Sequence, residues 1–192
     1  MAHFTTSDGL KLFYTDEGEG LPILCLAGLT RTTADFDYVT PHLSGNRLIK
    51  LDYRGRGQSD FDPDWRHYTL PVECRDIIEL LDHLELEKVA ILGTSRGGLN
   101  AMGLARGAKQ RLLGVALNDV GPVIDPKGMA LIADYIGRNP AAKTYEEAAA
   151  AMARAFPEFT DVPEGRWMEE ARKHYTQGPD GLQITYDKHL RD

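Results

Sequence analysis

Cysteine is scarce in this 192-residue chain: only Cys25 and Cys74 occur. Two isolated thiols supply neither a disulfide framework nor the paired spacing of a zinc site. Cys25 stands inside the apolar run Ile23-Leu24-Cys25-Leu26 and reads as a small buried hydrophobe, while Cys74 falls in a helical pattern. Positive charge is also in deficit, with 22 Lys and Arg against 29 Asp and Glu, a formal net charge of -7. A chain of that sign lacks the basic patch that polyanions need, so DNA, RNA and anionic membranes are not expected partners. Long apolar runs are missing as well. No stretch reaches the roughly 20 residues that span a bilayer, and Met1-Ala-His-Phe-Thr-Thr6 has neither the basic start nor the apolar block of a signal peptide. The expected location is cytoplasmic.

What remains is ordinary globular material, 42% hydrophobic and 27% charged, enough for one core. Its first two-thirds alternates strand and helix signals. His3 to Thr15 reads as a hairpin turned at Ser7-Asp8-Gly9, and Leu21 to Leu26 is a continuous apolar run of the kind buried on both faces. A short helix is expected over 34–43 and further strands at Arg47–Leu51, Val89–Leu92 and Leu112–Leu117. Between Pro71 and Leu84 the apolar residues Cys74, Ile77, Ile78, Leu81 and Leu84 recur at helical spacing, with Pro71 suited to the first turn. Gly97 to Arg106 is expected to be a helix. The alternation predicts an α/β fold with a mostly parallel sheet flanked by helices. From about Asp125 to the end only helical patterns are found, at 129–138, 144–155 and 164–175, with a start near Tyr186. These suggest a helical cap over 123–192, beyond a core part over 1–122.

Chemistry concentrates at Gly93-Thr94-Ser95-Arg96-Gly97, a G-x-S-x-G placed between a strand and a helix. A tight strand-to-helix turn strains the serine backbone and projects its hydroxyl at the carboxyl end of the sheet. The neighbouring glycines let strand and helix approach, and the helix N-terminus favours developing negative charge. Two other stretches follow strands: Leu26-Ala27-Gly28-Leu29, and Asp52-Tyr53-Arg54-Gly55-Arg56-Gly57-Gln58-Ser59, of the form D-x-R-G-x-G-x-S.

On these residues the chain resembles the α/β-hydrolase family, of the esterase/lipase-like type with an inserted cap, from about Phe4 to Pro122. The resemblance implies hydrolysis of a small carboxylic ester or related acyl compound. Ser95 would be the nucleophile, and the backbone N–H groups of Arg96 and Leu29 would form the oxyanion hole. Asp119, directly after the strand Leu112–Leu117, is the candidate acid, with turn capping as its alternative. The family usually carries His-Gly where this chain has Ala27-Gly28, which removes a group that often props the loop. The Asp52 loop is expected to brace turns by hydrogen bonds. A serine at position 95 separates the chain from epoxide hydrolases and dehalogenases of this fold, which use an aspartate. C–C hydrolases, lactonases and cofactor-free haloperoxidases share the scaffold. Neither metal nor organic cofactor is implied.

A serine needs a histidine base oriented by a carboxylate, in the order Ser, acid, His for this family. His174 and His189 follow Ser95 but fall on polar faces of the helical tail and read as surface, and His3, His42, His67 and His83 precede it. The expected base is therefore supplied by a complementary C-terminal fragment or a second chain. A non-catalytic binding protein on the same scaffold is the alternative. A sheet without its edge strands should expose an apolar edge.

Overall fold

Strand β1 (Ala2–Thr5) pairs antiparallel with β2 (Lys11–Glu17), and β2 pairs antiparallel with β4 (Asn46–Leu51). From there the sheet is parallel: β4 with β3 (Leu21–Leu26), β3 with β5 (Val89–Thr94), and β5 with β6 (Leu112–Asn118). The resulting order is β1-β2-β4-β3-β5-β6. This computed structural model describes the backbone of residues 1–192 and every side chain except those of Lys127 and Leu131.

Helices α1 (Leu70–His83) and α2 (Arg96–Gly107) cover one face of the sheet. There Ile77, Leu80, Leu81, Ala101 and Leu104 pack on Leu24, Leu26, Ile49, Leu51, Val89 and Ile91 in one buried cluster. Full burial of such side chains contributes about 1.5–3 kcal/mol each. The alternate residues point to the other face, where Cys25, Ala27 and Phe36 form a small second cluster. That face is thinly covered. Instead of the helix expected over 34–43, two 3-10 turns stand there, Thr33–Phe36 and Thr40–Leu43. Pro41 sits at the start of the second, where it suits a new turn and not a helix interior. Ala90, Leu92, Gly114 and Ala116 line an open groove beside them. The last strand, β6, is an edge with Leu113, Val115 and Leu117 each more than two-fifths exposed.

After β6 the chain forms α3 (Pro126–Tyr135), α4 (Tyr145–Ala155) and α5 (Arg166–His174). Thr144 caps α4, accepting a hydrogen bond from the Glu147 N–H at 3.2 Å. The expectation of an all-helical tail is corrected here: β7 (Tyr175–Gly178) and β8 (Gly181–Ile184) form an antiparallel hairpin. The segment is too short and polar to show a period of two. What holds it is tertiary, because Leu182 joins Ala148 and Ala171 in a separate small core. Beyond it, Thr185 O accepts from Gly57 N–H at 2.9 Å and Asp187 N–H donates to Gly55 O at 2.8 Å, tying the tail to the Asp52–Ser59 loop. Among the described residues no helix is long and apolar enough to cross a membrane.

Candidate active site

Ser95 occupies the turn between β5 and α2 with φ 50° and ψ −112°, a conformation that costs a non-glycine residue energy. The turn is held from both sides: Ser95 N–H donates to Asn118 O at 3.0 Å, and Ser95 O accepts from Leu99 N–H at 3.0 Å as the first bond of the helix. The glycines are steric necessities. A Cβ at Gly93 would lie 2.7 Å from Gly97 O, and one at Gly97 would overlap the Leu26 carbonyl. The Arg96 N–H opens α2, where a helix leaves its amides without an internal partner.

The loop after β3 approaches this turn: a Cβ built on Gly28 would stand 3.9 Å from Ser95 Cβ. It lacks the histidine prop but has another. Arg56, fully buried, donates from Nε to Leu29 O at 2.8 Å and from Nη1 to Arg54 O at 2.7 Å. The Asp52 loop is a brace, as expected. Asp52 accepts from Thr33 N–H at 2.7 Å and Gln58 N–H at 3.0 Å, and Ser59 Oγ donates to Asp52 O. Arg54 is buried among the carboxylates of Asp76, Asp62 and Asp8.

Arg96 itself turns away from the cavity. Its Nε donates at 2.8 Å to Glu73, a carboxylate with no exposed area. Sequence reasoning missed Glu73, although a signal was present: it lies four residues before Ile77 and seven before Leu80, on the apolar stripe of α1.

Gly28, Leu29, Ser95 and Asp119 share the floor of a cavity of about 950 Å³. They reach it because β3, β5 and β6 end there side by side. Asp119 has φ 53° and follows β6 directly. The upper walls come from the tail, with Ile132, Ile136, Met152, Phe156, Phe159 and Trp167 forming an apolar side. Arg31 and Tyr135 also reach the cavity.

His174 requires a correction: it lines this cavity instead of lying on the surface. Its Nδ1 accepts from Arg31 Nη1 at 2.8 Å, and Arg31 Nε donates to Asp35 at 2.7 Å. Burial, with Arg31 and Lys173 close by, pushes its pKa from 6.5 down to about 3. A general base works best near the operating pH, so this imidazole is poorly matched to that task. Its ring signals should stay constant from pH 8 to 5 in a heteronuclear NMR titration; a midpoint above pH 6 would contradict the Arg31 contact. An unfolded chain takes up this proton near pH 6.5 and the folded one only near 3. The contribution of His174 to stability is thus complete above 6.5 and lost as pH falls toward 3. His189 is at the surface, 2.8 Å from Asp192. Among the described residues no histidine is hydrogen-bonded to the Ser95 hydroxyl.

Asp8, Asp62 and His67 present ligand-type atoms within 4.8 Å of one another. Arg54 Nη1 already occupies Asp8 at 3.1 Å and Asp62 at 2.6 Å, which makes the trio an ion-pair cluster around a guanidinium.

Comparison with known proteins agrees with this fold. The profile of the alpha/beta hydrolase fold matches residues 22–156. The chain is 38% identical over 173 residues to the 3-hydroxybutyrate-oligomer hydrolase of Cupriavidus necator, covering 88% of this chain and 59% of that protein. It is 31% identical over 179 residues to the non-heme chloroperoxidase of Streptomyces lividans, covering 86% and 59%. The crystal structure of an alpha/beta hydrolase from Novosphingobium aromaticivorans superposes with a TM-score of 0.90 at 33% identity, over 99% of this chain and 70% of that one. The chain therefore spans about three-fifths of the length of these two curated relatives.

Proposed function

The chain belongs to the alpha/beta hydrolase family, and from that membership we propose that it carries the nucleophile-bearing part of a serine hydrolase acting on a small carboxylic ester. The observation that carries the reading is Ser95 at φ 50° on the cavity floor, between a strand and the amino end of a helix. Ser95 Oγ attacks the ester carbonyl while its proton passes to a histidine. The N–H groups of Leu29 and Arg96 hold the oxyanion, the alcohol departs with that proton, and water cleaves the acyl-enzyme. Asp119 orients the histidine.

The histidine itself comes from outside these residues, on a complementary C-terminal segment or a second chain. Two features favour this source. His174 is engaged by Arg31 and resists protonation. The edge of β6 and the groove at Leu92 and Ala116 present apolar surface of the kind that polypeptide covers. The name of the Cupriavidus necator relative supports a hydroxy-acid ester as the substrate class.

The test is intact-mass and peptide mass spectrometry after exposure to a fluorophosphonate. A single adduct on Ser95 is the expected result, with any second polypeptide visible in the same spectrum. An unlabelled protein with all its chains present would remove the acyl-enzyme reading and leave a ligand-binding scaffold.

A further inference from the structure

Behind the two proposed oxyanion donors lies one carboxylate that the reaction as described does not use. Glu73 has no exposed area and accepts three hydrogen bonds, from Arg56 Nη2 at 2.8 Å, Arg96 Nε at 2.8 Å and Asn100 Nδ2 at 3.0 Å. Each arginine leads to a different wall of the site. Arg56 continues from Nε to the carbonyl of Leu29, on the loop after β3. Arg96 is the residue directly after Ser95, and its Nη2 also reaches Tyr68 O at 3.3 Å. The two walls belong to segments 66 positions apart in sequence, Leu29 and Ser95, and both line the cavity.

We propose that Glu73 is a positioning residue that sets the spacing of the two oxyanion walls, through Arg56 to Leu29 and through Arg96 to the Ser95 turn. The inference rests on Ser95 being the nucleophile. Its physical basis is that oxyanion donors act through placement: they must stand 2.7–3.1 Å from an atom that carries charge only in the transition state. A loop that shifts by about 1 Å loses on the order of 100-fold in rate while still binding the ground state. The Leu29 loop lacks the family's histidine and takes its hold from Arg56. Arg56 in turn has Glu73 as its one carboxylate partner among the described residues.

The full-length protein, with whatever chain supplies the base, is assayed on a short-chain ester as wild type, Glu73→Gln, Arg96→Gln and Ser95→Ala. Glu73→Gln keeps the shape and one acceptor oxygen but gives up a charge-assisted bond. Its kcat should fall about 10- to 100-fold with KM within about threefold. Affinity for an alkylboronic acid, which forms a tetrahedral adduct on the serine, should fall in parallel with kcat, and affinity for the product carboxylate should hold. Arg96→Gln releases one wall only and should lose less, roughly 3- to 10-fold in kcat.

A folded Glu73→Gln enzyme with unchanged kcat would overturn the proposal. So would a raised kcat, because the cluster would then act through its positive charge and not through placement. If Glu73→Gln does not fold, Arg96→Gln decides, and wild-type kcat there overturns the proposal equally. The premise is checked separately: an active Ser95→Ala enzyme refutes the nucleophile, whereas an inactive one beside a wild-type Glu73→Gln refutes the positioning role alone.

Discussion

Ser95→Ala should lower ester turnover by on the order of 10⁴- to 10⁶-fold, the loss expected when a nucleophile is removed from a serine hydrolase. Stability should hardly change. The side chain of Ser95 touches the cavity, while its backbone is held by Asn118 O and by the first helical bond to Leu99. Alanine meets the same left-handed backbone cost as serine, so the strain is not relieved. The check is kcat on a p-nitrophenyl ester with the full-length protein, beside a thermal melt of both variants. Turnover within tenfold of wild type would mean that Ser95 does not form the acyl-enzyme. A melting temperature lowered by ten degrees or more would mean that the loss reports unfolding.

The second large effect concerns stability. Arg54→Met should destabilise the fold by about 3–5 kcal/mol, the usual result of removing one partner from a buried ion pair. Arg54 has no exposed area and binds Asp76 through Nε and Nη2, both at 2.7 Å, Asp62 at 2.6 Å, and Asp8 at 3.1 Å. Methionine fills much of the volume but removes the one cation that all three carboxylates share, leaving Arg75 on Asp8 and Asp76.

The pH dependence follows from two groups. Burial already pushes the Asp76 carboxyl upward against the pull of Arg54 and Arg75, and without Arg54 only Arg75 opposes it. Such a raised group is penalised when charged, and the penalty disappears as pH falls below its folded pKa. Asp8 behaves in the opposite way. Despite some burial, hydrogen bonds from Arg54, Thr6 and Arg75 hold its carboxyl well below the usual range. Its contribution in the wild type is present above the unfolded value of 3.8 and lost as pH drops through that region and below. The Asp76 effect makes the gap between wild type and Arg54→Met largest near neutral pH and smaller toward pH 4, and the Asp8 effect narrows it further only below that pH. Urea midpoints at pH 7 and pH 4 measure it. A gap that widens in acid would contradict the buried cluster.

The parts of this protein legible in the sequence are those whose cause is local. The period of Ile77, Leu81 and Leu84 is the geometry of one helix. The apolar run Leu21–Leu26 is one strand, buried from Leu24 to Leu26. Glycine on both sides of Ser95 follows from one turn, in which a Cβ at position 93 or 97 would strike backbone. Asp52 was readable as a brace because its partners Thr33 and Gln58 flank the loops it joins. For the same reason the positions of the strands up to β6 and the placing of Leu29, Ser95 and Asp119 after strand ends were accessible from the sequence alone.

What only the tertiary structure decided depends on groups far apart in the chain. The hairpin at 175–184 carries no periodic signal and stands because Leu182 meets Ala148 and Ala171. His174 looks like a polar helix residue until Arg31, 143 positions away, places a guanidinium on its ring. Arg96 reads as a surface cation until Glu73 is seen beneath it, and nothing near Leu29 in sequence announces that Arg56 holds its carbonyl. A buried charge is tolerated only where its partner is, and the partner is chosen by the packing of elements whose positions no single segment encodes.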